Sequence, residues 1–214
     1  MSGRGTHHAG GAVAGLTAGG GALLAGASVR EVVVLAVTAA ITGGGMLSPD
    51  VDQYRAWRTL DRWLPDELLG VGGPLQHRGI SHWWGTMVGL AALWAGLLVN
   101  VPTVHWLWPV AAGQVAGWAS HLALDFVYGA QVRARSGPIV VRGGVPLAPW
   151  WMHVGIRWRS GGLGSRFAGV VLTGVAVAEA ALLIRWAGAP PAAPAVHLPF
   201  VHAVTASAGT TPGP

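Results

Sequence analysis

The sequence predicts an all-α fold: a polytopic membrane bundle of about five helices with a polar site at its cytoplasmic end. Three observations carry this. Of 214 residues, 52% are hydrophobic and 10% charged, against roughly 25% charged in ordinary soluble domains. The apolar residues fall into five runs separated by polar or glycine- and proline-rich joints. The histidines and aspartates with ligand chemistry sit beside those run ends that a hairpin topology places on one side.

The first run, Gly10 to Ser28, is rich in Gly and Ala and approaches the ~20 residues needed to cross a bilayer. Nothing before it has the pattern of a signal-peptide cleavage site, so the run is read as retained. Its small residues suit close helix packing. After Arg30 and Glu31, a second run, Val32 to Leu47, loosens at Gly43-Gly44-Gly45 and ends before Pro49, because proline disfavours helical geometry in the residue ahead of it. The polar segment Asp50 to Gly79 has room for an amphipathic surface helix around Tyr54 to Leu64.

In Gln76-His77-Arg78-Gly79-Ile80-Ser81-His82, glycine permits a sharp turn and Ser81 is a good N-cap for a helix beginning at His82. Run three is Trp83 to Val99. The short joint Asn100 to Thr103 makes it a hairpin with run four, Val104 to Val127. A second polar segment spans Tyr128 to Arg166, and run five, Phe167 to Ala187, is interrupted by Glu179. Residues 1–187 thus form a membrane-embedded unit, and the Pro/Ala-rich tail 188–214 is expected to be disordered.

The sequence has no cysteine, so disulfides and thiolate ligands are excluded and a metal site must use imidazole and carboxylate. All 13 basic residues are arginine, and the pI is near 11.3. With runs one and two, and three and four, as hairpins, 11 arginines share a face and only Arg30 and Arg185 lie opposite. The positive-inside rule makes the loaded face cytoplasmic. The basicity is then a topology signal, with membrane lipids as partners and no nucleic acid expected. The tryptophans cluster near run ends, as aromatic belts do.

On the same face the topology gathers His7 before run one, Asp50 and Asp52 after run two, His77 and His82 before run three, and His121 and Asp125 closing run four. The last two form an i, i+4 pair on one helix face. Each element alone has a structural reading, as a solvated turn or a satisfied pair. Together they exceed what one tetrahedral zinc uses, which points to a two-metal site, or to one divalent ion with spare carboxylates. Zinc is the expected ion. Asp50, Asp52 and Asp125 are candidate bridges or bases, Arg78 a fork for anionic oxygens, and Ser81 a further hydrogen-bond donor.

Five motifs in order resemble the YdjM-like family of inner-membrane-associated, metal-dependent hydrolases. They are Thr6-His7 with Gly11, Leu47-Ser48-Pro49-Asp50-Val51-Asp52, the His77 to His82 turn, Ser120-His121-Leu122-Ala123-Leu124-Asp125, and Gly144-Val145-Pro146-Leu147 before Pro149. The match covers residues 6 to about 158. A fainter likeness is to zinc-dependent phospholipase C and P1-type nucleases, all-helical cleavers of phosphodiesters. The chain departs from the family at Gln53, where histidine is common, and after Trp158, where a glycine-rich stretch lacks its closing glutamate.

The resemblance implies a membrane-bound hydrolase whose metal is carried by His7, Asp50, Asp52, His77, His82, His121 and Asp125. The expected substrate is a phosphoester or lipid-type ester. The alternatives are a non-enzymatic metal-binding or transport protein, and a regulatory partner of the DNA-damage repressor LexA, which the family label mentions.

Overall fold

The computed structural model describes residues 4–45, 47–50, 80–133, 139–142, 145–146, 153–155, 158–159 and 163–188. Asp52, His77, Arg78, the amphipathic helix expected at 54–64 and the tail beyond Gly188 lie outside the described residues. The body is helical: α1 (Arg4–Leu24), α2 (Val29–Gly44), α3 (Trp84–Asn100), α4 (Trp108–Val127) and α5 (Leu163–Gly188).

The α1–α2 turn passes through Gly26 at φ 95°, a left-handed conformation open to glycine. Ser28 then starts α2 with a capping box, its hydroxyl accepting from the Glu31 backbone N–H while the Glu31 side chain accepts from the Ser28 backbone. Hydrogen bonds from Ser28 and from Trp108, the latter at 2.8 Å, hold the Glu31 carboxyl below its usual range. The Trp108 bond also places the starts of α2 and α4 together.

At the other end, the Gly43 carbonyl accepts from His121 at 2.7 Å, so α2 and α4 run parallel. Trp94 on α3 donates to Gln114 on α4 at 2.7 Å, and Thr17 on α1 donates to Glu179 on α5 at 2.9 Å. Gly169 of α5 lies beside Thr6, and Leu183 beside Gly20, so α5 runs alongside α1 in the same direction. Hence α1, α3 and α5 begin, and α2 and α4 finish, at one end of the bundle.

Glycines set the spacing. A Cβ on Gly43 would lie 2.7 Å from the His7 carbonyl oxygen, and one on Gly117 would lie 2.9 Å from Thr42 Cβ and closer still to the Ala39 oxygen. Gly11 and Gly15 on α1 also meet Ala39, which is fully buried. Small residues four apart on α1 and α4 therefore grip α2 from both sides.

Three boundaries differ from the sequence reading. α1 begins at Arg4, so His7 lies within the helix and not ahead of it. Ser81 does not cap a helix at His82: Ile80–His82 is a 3-10 turn, α3 starts at Trp84, and its N-cap residue Trp83 makes no side-chain cap bond. The reason is competition, because the Ser81 hydroxyl is engaged by the His82 ring at 3.0 Å. Run four opens with a 3-10 segment, Pro102–Leu107, before α4, where Pro109 occupies the first turn, which needs no proline N–H.

The polar segment after α4 holds short strands that the apolar pattern does not announce. β1 (Tyr128–Arg133) pairs antiparallel with β2 (Ile139–Arg142) and parallel with β5 (Trp158–Arg159), while β3 (Val145–Pro146) pairs antiparallel with β4 (His153–Val154). The β-branched Ile139-Val140-Val141 favours extended chain. β3, with Val145 fully buried, packs against the Ile80–His82 turn and α4.

Among the described residues, one helical stretch, Arg166–Trp186, is long and apolar enough to cross a membrane; Trp84–Asn100 is apolar but shorter.

Gly117→Val should cost about 1–3 kcal/mol, since the added carbons meet the α2 backbone. Gly21→Ala, whose Cβ meets nothing within 4 Å, should be neutral or stabilising by about 0.5–1 kcal/mol. Thermal unfolding in detergent measures both, and equal midpoints for the two variants would contradict this packing.

Candidate metal centre

Five of the side chains singled out in the sequence meet where α1, α3 and α5 begin. His121 and Asp125 lie one turn apart on α4 and face the same side. His82 comes from the 3-10 turn, which is pinned by Trp118 Nε1 donating to the Ser81 carbonyl at 3.2 Å and by the Thr86 hydroxyl donating to the Ile80 carbonyl. Asp50 follows α2 through a turn closed by Ser48 N–H donating to the Gly45 carbonyl at 3.1 Å. Ser48 and Pro49 are buried, which anchors that turn. His7 reaches in from α1.

The geometry is tight. His82 Nε2 lies 3.3 Å from His121 Nε2, 3.2 Å from Asp50 Oδ1 and 3.3 Å from Asp125 Oδ2. His121 Nε2 lies 3.7 Å from Asp50 Oδ1 and 3.3 Å from Asp125 Oδ2. His7 Nε2 is 3.6 Å from the other Asp125 oxygen, Oδ1, and its ring stacks on His121 with centroids 4.1 Å apart. Four of the five side chains are essentially sealed, and only Asp50 retains notable exposure, 19%.

These residues fit a divalent ion. Bonds of about 2.0–2.1 Å place neighbouring ligands of a tetrahedral zinc roughly 3.3–3.4 Å apart. The Asp50, His82, His121 triangle has sides of 3.2, 3.3 and 3.7 Å. With Asp125 Oδ2 in place of Asp50 all three sides are 3.3 Å. The ligand atoms form two groups sharing His121, one with Asp50 and His82, the other with His7 and Asp125, each within 4.8 Å.

The outer nitrogens are also engaged. His121 Nδ1 donates to the Gly43 carbonyl at 2.7 Å, and His82 Nδ1 meets Ser81 Oγ at 3.0 Å. That arrangement aims both Nε2 atoms inward, as outer hydrogen bonds to ligating histidines do. Ser81 therefore stands behind a ligand.

Burial works to lower the His82 pKa, yet hydrogen bonds from the ring to Asp125 and Asp50 outweigh it and hold the proton above the ordinary imidazole range. Two carboxylates in a desolvated pocket demand positive charge, and without metal a protonated imidazole supplies it.

The fold and the cluster define a helical-bundle protein with a buried histidine–carboxylate centre able to hold a metal ion. No protein-family model, curated protein or solved structure matches the chain.

Asp50, His82, His121, Asp125 and His7 are brought together; Asp52, His77 and Arg78 lie outside the described residues. The sequence reading missed the Gly43 carbonyl as the orienter of His121, and Val145 as the apolar cap over the turn. Gly43 was visible there only as a loosening of run two.

Two outcomes follow from this geometry. A raised folded-state pKa at His82 contributes stability that is fully present below the unfolded value of 6.5 and lost as pH climbs through the folded one. Metal-free protein should therefore lose thermal stability as pH rises above 6.5, and metal affinity should increase over the same range as the competing proton leaves. Melts and titrations across that window check both, and flat profiles would contradict the assignment. Ser81→Ala should weaken metal binding by about 10–100-fold without unfolding the bundle, as read by competition with a chelator.

Proposed function

We propose that this chain is a metal-dependent hydrolase embedded in the inner membrane, acting on a phosphoester or lipid-type ester at the cytoplasmic face. The observation that carries the reading is the Asp50, His82, His121 triangle, two imidazoles and one carboxylate, buried at the end of a bundle whose outside is apolar. Val170, Val177, Leu182 and Ile184 on α5, and Val88, Leu93 and Val99 on α3, are each at least 60% exposed. Apolar surface of that extent favours a lipid environment. The one-sided arginine distribution supports a multi-pass arrangement with the centre facing the cytoplasm.

Asp50 is the ligand that solvent reaches, so an ester or a water enters on its side. His82 and His121 are held from behind by Ser81 and Gly43, which keeps their nitrogens in place during turnover. A bound divalent cation supplies Lewis acidity, polarising the ester and lowering the pKa of water towards ~7. Arg78, two residues before Ile80 in the chain, is the proposed partner of the anionic oxygens. Zinc is the ion that the ligand set and spacing favour.

A second reading, a metal-binding or transport protein without hydrolysis, has one observation in its favour. The Thr17–Glu179 pair puts a carboxyl between α1 and α5, roughly 15 Å along α1 from His7 at 1.5 Å per residue. A conduit would need further polar steps between the two.

Purified in detergent, the protein should carry stoichiometric metal and turn over a member of a phosphoester and carboxylic-ester panel. His121→Ala should lower metal affinity and activity together by more than ~100-fold. Metal uptake into proteoliposomes with no ester cleaved would favour the second reading.

A further inference from the structure

We infer that Glu179, with Thr17, forms a second site inside the apolar length of the bundle, apart from the histidine–carboxylate cluster, and that it takes a small monovalent cation, a proton or a sodium ion. The inference goes beyond both readings above and rests on neither, because it uses none of the cluster's residues.

Gly169, Leu172, Glu179 and Leu183 follow one another on α5 at intervals of three, seven and four, which keeps them on one helix face. That face meets α1. A Cβ on Gly169 would lie 3.0 Å from Thr6 Oγ1, and those on Gly10 and Gly20 would lie 3.9 Å from Leu172 and 3.6 Å from Leu183. The Glu179 carboxyl is thus turned into the α1–α5 seam, with a leucine of the same face on either side of it. It also lies within Arg166–Trp186, the stretch long and apolar enough to cross a membrane. By helical rise it stands roughly 20 Å from the start of that stretch and roughly 10 Å from its end, and Thr17 stands roughly 15 Å along α1 from His7.

The two oxygens of the carboxyl differ. Oε1 accepts from the Thr17 hydroxyl at 2.9 Å, whereas Oε2 is buried and has no hydrogen-bond donor among the described residues. Nearby charge does not complete it. On α1, the helix packed against α5, the charged or titratable residues are Arg4, His7 and His8, all in the opening turns. On α5 they are Arg166, at the far end of the stretch, and Arg185, which is exposed and about 120° around the helix from Glu179. An oxygen left unmatched away from water is costly, and acidic residues inside apolar spans mark sites that bind or pass ions. A small cation at Oε2 removes the cost: a proton makes the group neutral, and a sodium ion pairs with its charge. The Thr17 oxygen keeps lone pairs for that ion while its hydrogen bonds Oε1.

The test uses the full chain in phosphatidylcholine vesicles and dicyclohexylcarbodiimide, a lipid-soluble reagent that adds to a protonated carboxyl. The acid proton passes to one of its nitrogens, a carboxyl oxygen bonds its central carbon, and nothing leaves. Peptide mass spectrometry compares labelling of Glu179 with that of Glu31 in the first turn of α2. Glu179 should label roughly tenfold faster or more, as a carboxyl in an apolar seam that the reagent reaches from lipid. If the ion is sodium, sodium chloride should slow labelling of Glu179 relative to Glu31 where choline chloride does not. If it is a proton, raising the pH should slow Glu179 relative to Glu31 and sodium should have no effect. Thr17→Val should weaken this protection and Thr17→Ser restore it, and unchanged protection in Thr17→Val overturns the role of Thr17. Labelling no faster than at Glu31, or a ratio indifferent to both pH and sodium, overturns the site. Should Thr17→Val fail to fold, the wild-type ratios decide alone, and metal loading of the cluster has no part in the readout.

Discussion

The close approach of α2 to its two neighbours is the constraint on which the structure depends. Ala39 is fully buried, with Gly11 and Gly15 of α1 on one side and Gly113 and Gly117 of α4 on the other. Where glycine faces backbone, helices come nearer than side chains would permit, and their backbones meet in close van der Waals contact. One turn further along α2, the same closeness sets Gly43 against His7 and its carbonyl against His121. The histidine–carboxylate cluster is thus a by-product of the grip on α2: loosen the helices and the imidazoles part.

Having been brought together, the ligands are sealed. Two carboxylates and three imidazoles would be costly in a dry pocket unless their charges were matched, and here each ring nitrogen that faces inward lies within hydrogen-bonding or ion-pairing reach of a carboxylate. The short strands after α4 contribute to the seal, with Val145 closing over the turn that carries His82. Solvent reaches the cluster through Asp50.

Polar contacts elsewhere in the bundle do a different job. The Ser28–Glu31–Trp108 set fixes the far ends of α2 and α4, and the Trp94–Gln114 bond ties α3 to α4. Because α2 and α4 are pinned at their starts and gripped by glycines midway, their final turns have little freedom to separate. Precision at the end that carries the cluster is inherited from contacts well away from it.

How much of this was legible in the chain differs from residue to residue. The helical runs were readable from composition, and α3 was placed to within one residue because its apolar stretch is bounded by a turn and by Asn100-Val101-Pro102. The pairing of His121 with Asp125 was readable from spacing, since a helix puts i and i+4 on one face whatever surrounds it. The strands were not, because they are only a few residues long. Nor was the diversion of Ser81 from helix cap to histidine partner, since a hydroxyl with two possible partners takes whichever the fold brings within reach. By itself the sequence determined which residues are helical and which ends carry ligands, because both depend on local pattern. The tertiary structure alone decided how closely those ends meet, which oxygen of Asp125 faces which histidine, and what stands behind each ring, because distances across helices are set by packing.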